Sequence, residues 1–97
     1  MSVLIELSIF PMDKGTSLSP YVARAVKIIK ESGLDYVFGP MSTTIEGEYD
    51  EVMAVVKRCH DDLRRDSDRA LMYLRMDSKK SEPGRITAKI KSVEEKL

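Results

Sequence analysis

Cysteine is almost missing from this chain. Cys59 stands alone, so no internal disulfide can form. Histidine is as scarce: His60 is the only one, and no Cys/His group has the spacing of zinc ligands. An excess of one charge is missing too. Sixteen basic and sixteen acidic residues give a net charge of zero, which supplies no electrostatic reason for a nucleic-acid or membrane-surface partner. No apolar run approaches the roughly 20 residues needed to cross a bilayer. No basic segment followed by an apolar stretch and a small-residue cleavage site opens the chain. These absences predict a cytoplasmic protein without membrane or nucleic-acid partners, cofactor or metal. Ninety-seven residues predict one domain over 1–97 with a modest core.

What is present is hydrophobic periodicity. "SVLIELSIFP" alternates as a strand, with Val3, Ile5, Leu7 and Ile9 on one face and Leu4, Glu6, Ser8 and Phe10 on the other. Pro11 ends it, because proline donates nothing to a ladder. A helix follows, with Ser19 expected as N-cap, Pro20 at its first position, and Val22, Ala25, Val26 and Ile29 as its buried stripe. Gly33 fits the left-handed residue that closes it. "LDYVFGP" and "MSTTIEG" read as second and third strands with a turn at Gly39 and Pro40. Asp50 is the expected cap of a second helix, whose stripe is Val52, Val55, Val56, Cys59 and Leu63. "RALMYLRMD" is a fourth strand, and Ile86, Ile90, Val93 and Leu97 mark a third helix.

The order is βαββαβα. Two split βαβ units with right-handed crossovers give an α+β, ferredoxin-like sandwich with an added C-terminal helix. Two helices cover one face of a four-stranded antiparallel sheet, and the spatial order is fourth, first, third, second. The open face then carries Leu4, Glu6, Ser8, Phe10, Val37, Ser42, Thr44, Glu46, Leu71, Tyr73, Arg75 and Asp77. Its apolar members form a patch too large to leave wet, so a second copy of the chain or another partner should cover it. Its polar members would then need hydrogen-bond partners, a ligand among them.

Each candidate residue has a plainer reading. Thr43 and Thr44 are good strand formers. Glu46 suits a salt bridge or the positive end of the second helix. Gly47 suits the bend into that helix. The functional reading places Ser42, Thr44 and Glu46 on one strand face as a polar pocket wall. Thr43 faces the helices unless a bulge turns it. His60, at the edge of its helix stripe, reads as packed or half-exposed, since a base needs a nucleophile and an orienting group. Cys59 reads as inert core.

The stretch "GPMSTTIEGEYDEVM" resembles the signature of the small thiamine-binding-protein family, long grouped as conserved proteins of unknown function. Pro11, "GTSLSPYV", Thr44-Ile45-Glu46-Gly47, the strand from Arg69 and "ITAKIKSVEEKL" carry the likeness, which covers nearly the whole chain. The resemblance implies a ferredoxin-like protomer that pairs by its sheet faces as a dimer, often going on to a tetramer. It implies a thiamine or hydroxymethylpyrimidine ligand near a subunit boundary, with Ser42, Thr43, Thr44 and Glu46 at the site. Ser8 and Tyr73 join this candidate set. Hydroxyls and a carboxylate complement the amine and ring nitrogens of an aminopyrimidine. Phe10, Val37 or Tyr73 could wall its flat ring.

Three other functions compete. A structural or regulatory homo-oligomer would use the open face only as an interface. An RNA-binding module of this topology stacks bases on aromatics of its two central strands, and the third strand here has none. An enzyme would show a nucleophile, a metal set or a phosphate-binding glycine loop, and the sequence offers none of these. The expectation is a non-enzyme that binds a small molecule.

Overall fold

The computed structural model describes residues 2–97. Four strands and three helices alternate: β1 (Ser2–Pro11), α1 (Ser19–Glu31), β2 (Asp35–Phe38), β3 (Thr43–Glu48), α2 (Tyr49–Arg64), β4 (Ala70–Ser78) and α3 (Arg85–Glu94). The strands form one sheet in the order β2-β3-β1-β4. Every neighbouring pair is antiparallel. This is the ferredoxin-like arrangement that the alternation and crossovers predict.

Register explains the two faces. On β1, Val3, Ile5, Leu7 and Ile9 are all buried. They join Ile45 of β3, Ile29 of α1 and Val52, Val55, Val56, Cys59 and Leu63 of α2 in one core. The expected α2 stripe is therefore fully buried. On α1, Ile29 is buried, whereas Val22, Ala25 and Val26 are half-buried. Gly47 pairs with Val3 inside β3 rather than bending the chain out of it. A Cβ there would lie 3.0 Å from Leu34 Cδ2 and 3.3 Å from Val52 Cγ2, so the missing side chain is the space that lets α2 approach the sheet. Gly33 closes α1 at φ 79°, in the left-handed region.

The helices start earlier than the expected caps, α1 by one residue and α2 by two. Ser19 is already helical, and the Leu18 carbonyl accepts from the Tyr21 and Val22 amides. Glu48 precedes α2, and Asp50 lies in its first turn with Glu51, where negative charge favours the helix dipole without a side-chain cap. Between the two helices, Arg24 clamps α2: its Nε donates to Asp62 Oδ2 at 2.9 Å and its Nη1 to Asp66 Oδ2 at 2.9 Å.

The third helix departs most from expectation. It is held on the face opposite α1 and α2, by Glu46 and Asp77 at one end of the sheet. Leu4, which pairs with both of these residues, is buried there. Ile90, Val93 and Leu97 remain exposed, so most of the α3 stripe does not join the core. No described helix is long and apolar enough to cross a membrane.

Candidate functional site: a two-part cleft under the β2–β3 turn

Residues 39–42 form a tight turn between β2 and β3, closed by the Gly39 amide donating to the Ser42 carbonyl at 2.9 Å. Beneath it the end of the sheet is hollow on both sides. On the helix side lies a cavity of about 170 Å³, reaching Thr43, Val22, Val26, Phe38 and Pro40. On the open face lies a cleft of about 540 Å³ lined by Glu6, Ser8, Phe10, Met41, Ser42, Tyr73 and Arg75. Ser8, Phe10, Met41 and Ser42 line both, so the two parts meet around the turn.

Pairing of β1 with β4 builds the open cleft. Glu6 lies opposite Arg75, Ser8 opposite Tyr73 and Phe10 opposite Leu71. One register step apart on one face, Phe10 and Tyr73 stack with ring centroids 6.4 Å apart and planes at 28°. Above this aromatic floor, Arg75 Nε donates to Glu6 Oε1 at 2.5 Å, and the Ser42 hydroxyl donates to Glu6 Oε2 at 3.2 Å. Tyr73 is 61% exposed, which leaves its face open to a flat ring. The cleft thus combines a ring-stacking surface, two serine hydroxyls and a carboxylate fixed from two sides.

The sequence candidates divide. Ser8, Ser42 and Tyr73 line the open cleft, and Thr43 lines the inner cavity from the helix side. Thr44 pairs with Glu6 and lines a neighbouring cleft of about 370 Å³, together with Asp77 and Lys89. Glu46 lines neither part. It is 3% exposed, and its Oε2 accepts from the Gly84 amide at 3.1 Å and the Arg85 amide at 3.0 Å. Its carboxylate caps the N-terminus of α3 from another strand, in the place an N-cap side chain would take. Arg85 is buried beside it, with Nη1 donating to the Asp77 carbonyl at 3.2 Å and Nη2 bonded to the Asp77 carboxylate. Lys89 Nζ donates to Asp77 Oδ2 at 2.8 Å. The lysine bond holds the Asp77 carboxyl below its ordinary range, and Arg85's charge adds to the effect.

Glu6, Met41 and Arg75 complete the cleft without having been singled out from the sequence, and Phe10, named there only as one of three possible ring walls, forms its floor with Tyr73. Strand alternation put Glu6, Phe10 and Arg75 on the open face. The signal for the site was the Glu6–Arg75 and Phe10–Tyr73 pairing, and that needs the β1–β4 register. Cys59 is buried, and burial pushes its thiol up to about 11, as suits an inert core residue. His60 is exposed on α2, with Nδ1 3.0 Å from Asp61 Oδ1. Among the described residues, no group of three or more His, Cys, Asp or Glu could hold a metal ion.

Comparison with known proteins gives this chain a family. Residues 5–94 match the family described as "Thiamine-binding protein". A UPF0045 protein of Methanocaldococcus jannaschii is 34% identical over 93 residues, covering 96% of this chain and 93% of that one. A crystal structure of a hypothetical protein from the same organism superposes with a TM-score of 0.89 at 34% identity, covering 97% of each chain. A Thermotoga maritima protein named for thiamine biosynthesis or salvage superposes with a TM-score of 0.79 at 27% identity, covering 93% of this chain and 99% of that one. A de novo designed protein with a ferredoxin fold shares the fold alone, with a TM-score of 0.56 at 12% identity over 84% of this chain and 89% of its own. With the family match spanning nearly all of its length, the chain belongs to the thiamine-binding protein family.

Proposed function

We propose that this chain is a non-catalytic small-molecule-binding protein that takes thiamine, or its hydroxymethylpyrimidine moiety, in the cleft under residues 39–42. The observation that carries the reading is the stacked Phe10–Tyr73 pair beside Ser8, Ser42 and the Glu6 carboxylate, in a cleft of about 540 Å³. An aminopyrimidine ring would rest on the aromatic pair. Its amine would donate to Glu6, and a ring nitrogen would accept from the Ser8 hydroxyl, while Ser42, whose proton goes to Glu6, would offer its oxygen as an acceptor. Thr43 would bound the inner cavity, Thr44 the neighbouring cleft, and Glu46 would serve the site by holding α3 beside it. Family membership supports the same ligand class. The role would be that of a cytoplasmic carrier, buffer or sensor.

Titration calorimetry with thiamine and with hydroxymethylpyrimidine tests this reading. The wild-type chain should bind at least one of them. Ser42→Ala and Tyr73→Ala should each weaken binding by about 0.5–1.5 kcal/mol, the usual worth of one hydrogen bond or one aromatic contact. No heat of binding at millimolar concentrations of either compound would end the ligand assignment.

A second reading is a structural or regulatory homo-oligomer that buries the open face against a second copy, as a dimer or tetramer. The exposure of Val37, Tyr73, Ile90 and Val93 favours it, and it is compatible with ligand binding at the subunit boundary. Sedimentation at micromolar concentration should then give a dimer or larger. Leu71→Asp, opposite Phe10 on that face, should shift it toward monomer. A concentration-independent wild-type monomer would remove this reading.

A further inference from the structure

We propose that Arg75 stands in for the cationic part of the ligand, and that its guanidinium sets how tightly the cleft holds aromatic cations. This rests on the thiamine reading of the cleft and deepens it. Glu6 and Arg75 are registered partners across β1 and β4, but the two ends of the pair are held very differently. The Glu6 side chain is 38% exposed, and the Ser42 hydroxyl fixes its Oε2. The Arg75 side chain is 83% exposed, and among the described residues Glu6 is its only ion-pair partner. Water and salt screen so exposed a pair, and a long side chain must stay ordered to keep it. The carboxylate is therefore the fixed member and the guanidinium the displaceable one.

The surroundings give the displaced group somewhere to go. Arg75 lines both the aromatic cleft and the neighbouring cleft that holds Thr44, Asp77 and Lys89. Asp77 lies two residues along β4, on the same face as Arg75. With the aminopyrimidine resting on Phe10 and Tyr73, the cationic thiazolium of the same ligand comes beside Glu6. It carries no N–H, so it replaces the guanidinium by charge alone, and Arg75 swings toward Asp77. Charge at Glu6 is balanced before and after the exchange. A neutral pyrimidine brings no charge to replace the guanidinium, so Arg75 competes with thiamine and spares the pyrimidine.

The test is titration calorimetry of the full chain with cationic thiamine and with neutral hydroxymethylpyrimidine. Wild type, Arg75→Gln, Glu6→Gln and the double variant are compared, with melting curves to establish that each is folded. Arg75→Gln should tighten thiamine by about threefold to tenfold and move the pyrimidine by less than about twofold. Glu6→Gln should weaken thiamine by about tenfold and abolish the benefit of Arg75→Gln. The Arg75 side-chain Nε–H resonance in nuclear magnetic resonance spectra should shift when thiamine binds the wild-type chain, a readout that needs no variant to fold. If both ligands shift together on Arg75→Gln, if thiamine weakens, or if the resonance stays put while thiamine binds, the exchange is overturned and the thiamine site stands. If the wild type binds neither compound, the thiamine reading falls and this inference falls with it.

Discussion

Two neighbouring positions on the open sheet face carry matching chemistry and use it in opposite ways. At one, Glu46, Asp77 and Arg85 meet; one same-face step away, Glu6 pairs with Arg75. Glu46 is 3% exposed and its carboxylate is filled by backbone amides of residues 84 and 85. Glu6 is half-buried, held by one hydroxyl and one exposed guanidinium. The Arg85 side chain is 9% exposed, whereas that of Arg75 is 83% exposed. A carboxylate enclosed by amides that nothing else can satisfy supports the structure. A carboxylate whose partner is screened by water is available to a ligand. Residue type does not separate the two roles; burial and the identity of the donors do.

The matched substitutions Glu46→Gln and Glu6→Gln would break this comparison most sharply. Glu46→Gln keeps the shape and removes the charge that faces the α3 N-terminus. It should destabilise the fold by about 1.5–3 kcal/mol, the usual range for a hydrogen bond to a charged group. Glu6→Gln should change stability by less than about 0.5 kcal/mol, as an exposed pair allows, while thiamine affinity falls. Urea denaturation of the two variants reads the difference directly. Equal losses of stability would erase the distinction between the two carboxylates.

A smaller effect should appear with acid. The Asp77 carboxyl titrates below its ordinary value of 3.8 in the folded chain, chiefly through Lys89. Protonation therefore favours the unfolded chain first. The stabilising contribution is complete above the ordinary value and is lost as pH falls through the lowered one. Asp13, Asp61 and Asp66 are lowered as well and act in the same direction, Asp13 through the Ser67 hydroxyl and Asp66 through Arg24. The isolating measurement is the gap in melting temperature between wild type and Asp77→Asn. It should be present at pH 6 and close as the pH approaches 3. A gap that stays constant over that range would separate Asp77 from the anchoring of α3.

Much of this was legible in the chain itself. Alternation in β1 decided which four side chains enter the core, because a strand has period two and one covered face. The α2 stripe was equally plain, since Val52, Val55, Val56, Cys59 and Leu63 follow the helical period and all five are buried. The same period-two rule separated Thr43, which faces the helices, from Thr44, which does not. It also placed Glu6, Ser8, Phe10, Tyr73 and Arg75 on the open face. Local periodicity reads these features because neighbouring residues share one backbone geometry.

Tertiary structure alone decided how the open face is divided. Whether Glu46 meets a ligand or a helix depends on where residues 84 and 85 land, almost forty positions later, and no local pattern encodes that distance. The aromatic floor exists because Phe10 and Tyr73 fall one register step apart, and the ion pair because Glu6 lies opposite Arg75. The hollow on the helix side of residues 39–42 lies between that turn and α1, whose half-buried Val22 and Val26 line it. Sequence determined which residues could face outward. The packing of distant segments determined which of them were satisfied by protein groups and which were left for something else to bind.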